Sequence, residues 1–178
     1  MKPIKENIQT NSICILGLGL DKNSSFQKGP ALAPNRIRES YFSSSSNLWS
    51  EKGLDLGSLQ DLYDLGDIHF KKDKDDFNLI SSSVKAVLDQ GNHMICLGGD
   101  HSITFPIIKA YAQKYKALNI LHLDAHPDLY DSLDKNIYSH ACPFARIMEN
   151  KLAKRLVQAG IRTMNGHQAM PGHQQYGA

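Results

Sequence analysis

Two apolar runs with the same grammar, HMICLGGDH at 93 to 101 and LNILHLDAH at 118 to 126, constrain this chain most. Each is short and uninterrupted, as a strand buried inside a sheet requires, and each ends in an acid and an imidazole. Between them, Ile103 to Tyr115 carries apolar residues at helical spacing. The same alternation extends in both directions. Ser12 to Leu20 reads as a first strand, and Pro34 suits the first turn of a helix reaching about Tyr41. A second strand is expected near Leu62 to Leu65. Asp75 to Gln90 sets Phe77, Ile80, Val84, Val87 and Leu88 on a helical stripe that Gly91 stops. His140 to Asn150 reads as helix, and RLVQAGIR from 155 to 162 as one more strand. Strands alternating with helices predict an α/β fold, a largely parallel sheet flanked by helices in three layers. Nothing divides the 178 residues into two units, so a single domain is expected.

Bulk properties narrow the function. A formal charge of +2, with no basic cluster interleaved with aromatics, predicts no nucleic-acid partner. No apolar stretch approaches membrane-spanning length, and MKPIKENIQTNS lacks the apolar core of a signal peptide, so no membrane association is expected. Cys14, Cys96 and Cys142 show neither zinc-knuckle spacing nor a disulfide framework, which fits a reducing cytoplasm.

In open α/β sheets, functional groups gather at the carboxyl ends of strands. Here those ends supply Gly98, Gly99, Asp100 and His101 from one strand, and Asp124, Ala125, His126, Pro127 and Asp128 from the other. If 121 to 124 are extended, Leu121 and Leu123 share one face, and His122 and Asp124 the other. Two carboxylates and one imidazole within five residues, plus a second imidazole at His101, form a mixed oxygen and nitrogen donor set. Such a set suits a hard or borderline divalent cation, manganese or zinc, and carboxylates can bridge two of them. Taken singly, His101 and His140 could instead cap the helices that follow. Gly98 and Gly99 lack the lysine of a phosphate loop and read as tight backbone at a strand end.

LGGDHS at 97 to 102, LDAHPDLYD at 123 to 131 and YSHACPFARI at 138 to 147 resemble three successive signatures of the ureohydrolases, the arginase and agmatinase family. KGPALAPNRIRES at 28 to 40 and GIRTMNGHQ at 160 to 168 resemble agmatinase-like sequences as well, so the likeness runs in order along most of the chain. The resemblance implies an arginase/deacetylase-like sheet and two Mn2+ ions. It makes His101, Asp124 and Asp128 ligands of one ion and His126 a ligand of the other, with Asp124 bridging. It also implies that activated water attacks a guanidinium carbon and releases urea and an amine, with His140 moving a proton near the leaving amine. Ala141 stands where many members have glycine. The implied substrate is a small cationic guanidino compound, agmatine first and arginine second, and a homo-oligomer is compatible with the family's habit.

Family members carry a later Asp-x-Asp strand and a substrate-contacting glutamate that have no counterpart here. The resemblance therefore implies a partial domain, three ligands of one ion and two of the other. Asp131, Asp134 and Glu149 lack the required spacing to replace the missing ones. In the family sheet the later strands lie between the strand ending in GGDH and the one ending in DAHPD, so their absence predicts two unpaired edges. A catalytically inactive remnant, or a structural subunit, is the alternative expectation. His122, His69, His93, His167 and His173 are not assigned to the site.

Overall fold

A computed structural model describes residues 8–71 and 75–166; His167 and Gln168, which end the last family-like stretch, and His173 lie outside them. In chain order it contains β1 (Ile13–Leu18), α1 (Ala33–Tyr41), β2 (Leu62–Asp67), α2 (Asp76–Asp89) and β3 (His93–Gly98). There follow α3 (Thr104–Lys114), β4 (Asn119–Leu123), α4 (Pro143–Glu149) and β5 (Arg155–Ala159). Every element expected from the sequence is present. The last helix starts at Pro143 rather than His140 because Pro143 fits a first turn, while the His140 N–H is drawn off to the Asn23 carbonyl.

Local chemistry accounts for these boundaries. The Asp75 side chain accepts from the Asn78 N–H and caps α2, and Gly91, at φ 82°, ends the turn beyond it in a left-handed conformation. Along α2, Ile80, Val84 and Leu88 are fully buried at four-residue spacing. They join Leu16 and Leu18 of β1, Leu20, and Ile103 and Ala110 beside and within α3 in one core. Burying each large aliphatic side chain contributes about 1.5–3 kcal/mol. A second core, built on Leu129, Phe144 and Ile147, recruits Phe105 and Ile108 of α3 together with Ile120 and Leu156 of β4 and β5. Helix α3 therefore serves both cores from different faces.

All strand pairs are parallel, but they form two sheets, β2-β1-β3 and β4-β5. Among the described residues, β3 and β4 do not pair, and each keeps an open edge, as the resemblance implies. Strand β4 also reverses the usual arrangement of a half-covered strand. His122 faces inward with 7% exposure, against the Phe144 ring at 4.2 Å, whereas Leu121 and Leu123 are 66% and 73% exposed. Ile95 of β3 and Val157 of β5 are exposed too. The helix layer of α3 and α4 covers one face of β4 and β5, and no described helix covers the other.

Arg38 ties α1 to β2 through a forked pair with Asp64 at 2.7 and 2.8 Å and a further bond to Asp67 at 2.5 Å. Burial alone would raise the Asp64 carboxyl, but the Arg38 fork and the Gly66 N–H overcome it and hold it below its usual range. Removing the fork with Arg38→Met is expected to cost about 1–3 kcal/mol in urea unfolding at neutral pH. Because the folded carboxyl titrates below the unfolded one, this stabilisation is full above about pH 4 and disappears as pH falls through the folded value. A cost that stayed constant down to pH 2 would contradict the assignment.

The two apolar faces should also respond differently. Phe144→Ala is expected to lose about 3–5 kcal/mol. Leu121→Ser with Leu123→Ser should change stability by less than about 0.5 kcal/mol per site while reducing self-association in sedimentation velocity.

Candidate metal centre

The carboxyl ends of β3 and β4 meet although the strands do not pair. Beyond β3, the chain must pass tightly against the exit of β1: the Asp100 N–H donates to the Leu20 carbonyl at 2.8 Å. A side chain at Gly99 would begin 2.0 Å from that oxygen, so glycine is required there by close approach rather than by phosphate binding. Asp100 then caps the 3-10 turn 101–103 by accepting from the Ser102 N–H, which leaves the His101 ring free of any capping duty. Likewise, α4 has no side-chain cap, so neither histidine plays the capping role considered from sequence.

His101 Nδ1 lies 2.5 Å from Asp128 Oδ2 and 3.9 Å from Asp124 Oδ2. Asp128 is buried and sits at φ 50°, a left-handed conformation that costs a non-glycine residue of the order of 1 kcal/mol and aims its carboxylate at His101. The two oxygens of Asp124 look in different directions. Oδ2 approaches His101 and His122, while Oδ1 accepts from the His126 N–H at 2.9 Å and lies 3.4 Å from His126 Nδ1. Burial tends to raise the Asp124 carboxyl, yet the His126 N–H and the neighbouring His122 and His101 keep it below its usual range. It is ionised and ready to accept at neutral pH.

His101, Asp124, His126, Asp128 and His140 line one open cavity of about 400 Å³, shared with Tyr130, Leu133 and Thr163. The structure thus brings together all five residues singled out from sequence. His140 Nδ1 lies 3.1 Å from the Asn23 carbonyl, which can only accept, so Nδ1 carries a proton. No Cys lines the cavity: Cys142 is buried and turned to the Asn136 carbonyl. Carboxylates and imidazoles without thiolate fit a divalent cation of the manganese type, and such an ion would take the place of the direct His101–Asp128 contact.

Two contributors escaped the sequence reading. Asn23 is a hub: its N–H donates to Asp100, its carbonyl holds His140, and its side chain donates to Ser102 and accepts from Asn136. These partners are 77 to 117 residues away in sequence, and no local pattern encodes them. His122, set aside as a packed polar residue, is packed, but its Nε2 lies 3.4 Å from Asp124 Oδ2. His101, His122 and Asp124 offer donor atoms within 4.8 Å of one another.

If these residues hold a divalent ion, Mn2+ added to chelator-treated protein should raise the melting temperature, by an amount equivalent to about 2.7 kcal/mol at a hundredfold excess over Kd. Asp124→Asn should remove most of that increase. An equal increase in the variant would place the ion elsewhere.

Comparison with known proteins gives the chain a family. A family model described as "Arginase family" matches residues 11–176. "Arginase 1, mitochondrial" of Oryza sativa subsp. indica is 46% identical over 162 residues, covering 86% of this chain and 48% of the rice protein. "Agmatinase" of Bacillus anthracis is 30% identical, covering 88% of this chain and 54% of the bacterial one. Among solved structures, "Arginase from Medicago truncatula" superposes with a TM-score of 0.81 at 43% identity, over 88% of this chain and 52% of that one. The chain spans about half the length of the relatives it matches. With a family model matching nearly all of its residues and a solved arginase of the same fold, this chain belongs to the arginase family.

Proposed function

We propose that this chain carries the metal-binding part of a manganese-dependent hydrolase that cleaves a guanidinium C–N bond and releases urea. The observation that supports it most is Asp124, whose two oxygens face His101 on one side and His126 on the other inside the cavity that His140 lines. That is the disposition a carboxylate needs to serve two cations. His101 and Asp128 would hold one ion and His126 the other, with Asp124 shared; the described residues supply fewer donors than two octahedral shells need. When bound, the ions supply the Lewis acidity that makes water nucleophilic at neutral pH.

The chain's own groups do the rest. His140, fixed by the Asn23 carbonyl through Nδ1, keeps Nε2 available to take a proton and pass it to the departing amine. Motifs alone rank agmatine ahead of arginine. The higher identity to the arginase relatives supports the reverse order, arginine before agmatine.

The test is urea release by the Mn2+-loaded chain from arginine, agmatine and guanidinobutyrate. Arginine should be the best of the three, and His140→Asn should lower kcat by about 10²–10⁴-fold without weakening Mn2+ binding. Two bound ions with no urea from any of the three would reject catalysis by this chain alone.

The open edges of β3 and β4 and the exposed Ile95, Leu121, Leu123 and Val157 favour a second reading, a subunit that associates through this surface with itself or with another arginase-family chain. Native mass spectrometry separates the two. A stable complex that Leu121→Lys disrupts supports association, whereas a monomer that turns over arginine removes it.

A further inference from the structure

Strands β4 and β5 pair in parallel with His122 directly opposite Gln158, and between these side chains runs a hydrogen-bond chain whose direction can be read from one end to the other. The Gln158 amide nitrogen lies 2.7 Å from the Pro127 carbonyl, which can only accept. That fixes the amide: turned over, it would set its own oxygen against the carbonyl oxygen. The same nitrogen lies 2.9 Å from His122 Nδ1. Since it donates there too, Nδ1 carries no proton, and the neutral ring must carry its proton on Nε2.

Nε2 is buried and makes no formed hydrogen bond among the described residues. The acceptor it approaches is Asp124 Oδ2 at 3.4 Å. A buried N–H left without a partner is costly, and the one carboxylate within reach is the residue on which the proposed two-cation arrangement turns. Proximity alone would make His122 a ligand, because its donor atoms cluster with those of His101 and Asp124. The tautomer argues otherwise. A nitrogen that bears a proton has no lone pair for a metal, and reversing the ring would require the Gln158 amide to face the Pro127 carbonyl with its oxygen.

We propose that His122 is a positioning residue, not a ligand: the chain Pro127, Gln158, His122 holds an N–H against Asp124 Oδ2 and orients that carboxylate for cation binding. This rests on the metal reading above and extends it to two residues that reading does not use. Outer-layer partners of this kind typically change metal affinity by 10–100-fold.

The experiment is Mn2+ titration calorimetry on the wild-type chain and on His122→Phe, His122→Gln and Gln158→Leu, with urea unfolding of each as a control. His122→Phe and Gln158→Leu should weaken Mn2+ binding by roughly 10–100-fold, and His122→Gln, whose amide can place an N–H where Nε2 was, should recover most of the loss. Should His122→Phe not fold, Gln158→Leu carries the test by itself. Equal affinity in all four proteins overturns the proposal while leaving the metal site intact; absence of Mn2+ binding by the wild type overturns both. Nitrogen-15 imidazole spectra give a readout independent of affinity. His122 should show the Nε2–H form in the apo chain and keep it when diamagnetic Cd2+ is added, whereas a Nδ1–H form, or loss of the Nε2 proton on Cd2+ loading, would overturn it.

Discussion

Strands β3 and β4 share no backbone hydrogen bond, yet His101 beyond one and Asp128 beyond the other lie in contact. In most parallel sheets the ladder itself fixes the distance between adjacent strand ends. Here that task falls to the crossover helix. Ile107, Ala110 and Tyr111 of α3 pack into the core under β1, while Phe105 and Ile108, on another face of the same helix, pack into the core under β4 and β5. Phe144 completes the support from α4, its ring 5.6 Å from that of His101 and 4.2 Å from that of His122. The candidate metal centre is thus held from beneath by apolar packing, and its precision depends on side chains outside the cavity.

Above that layer the polar groups are arranged to keep the right charges. Burial works against ionising Asp124 and against protonating His122, but the two are resolved in opposite ways. Asp124 has the His126 N–H and nearby imidazoles to stabilise its charge, so it stays ionised. For His122, burial and the neighbouring His101 both lower the pKa of the ring. Asp100, more deeply buried than Asp124, does not face the cavity; it anchors the Asn23 loop, and through the Asn23 carbonyl it helps to hold the His140 ring. Two acids near two strand ends therefore do two jobs, which their sequence neighbours alone do not distinguish.

Much of this was legible in the sequence because it is local. The strands, the helices and the stop at Gly91 follow from periodicity and turn chemistry within about fifteen residues. His101, Asp124, His126 and Asp128 stand out because ligand-type residues collect at two strand ends. What could not be read depends on long-range register. His122 faces Gln158 only because β4 and β5 pair with no offset between them, a fact of tertiary structure. Asn23 looks like any loop asparagine until Asp100, Ser102, Asn136 and His140 close around it. Alternation correctly put Leu121 and His122 on opposite faces of β4, but it could not say which faces in. Hydrophobicity would send Leu121 inward, and the helix layer happens to lie on the His122 side.

That inversion links two features of the described residues. Among them, the apolar face of β4 and β5 is bare, and the edges of β3 and β4 are unpaired beside the proposed cation site. Every strand present runs parallel to its neighbour, so a strand entering beside β3 or β4 in the same sense would end where His101 and Asp124 already are. Its backbone would satisfy an open edge, its apolar side chains would lie near Leu121 and Leu123, and an acid at its carboxyl end would be in position to add an oxygen donor. One structural element can meet all three requirements, so if the proposed site binds a cation, that binding and association through this surface should be coupled, each strengthening the other by the same free energy.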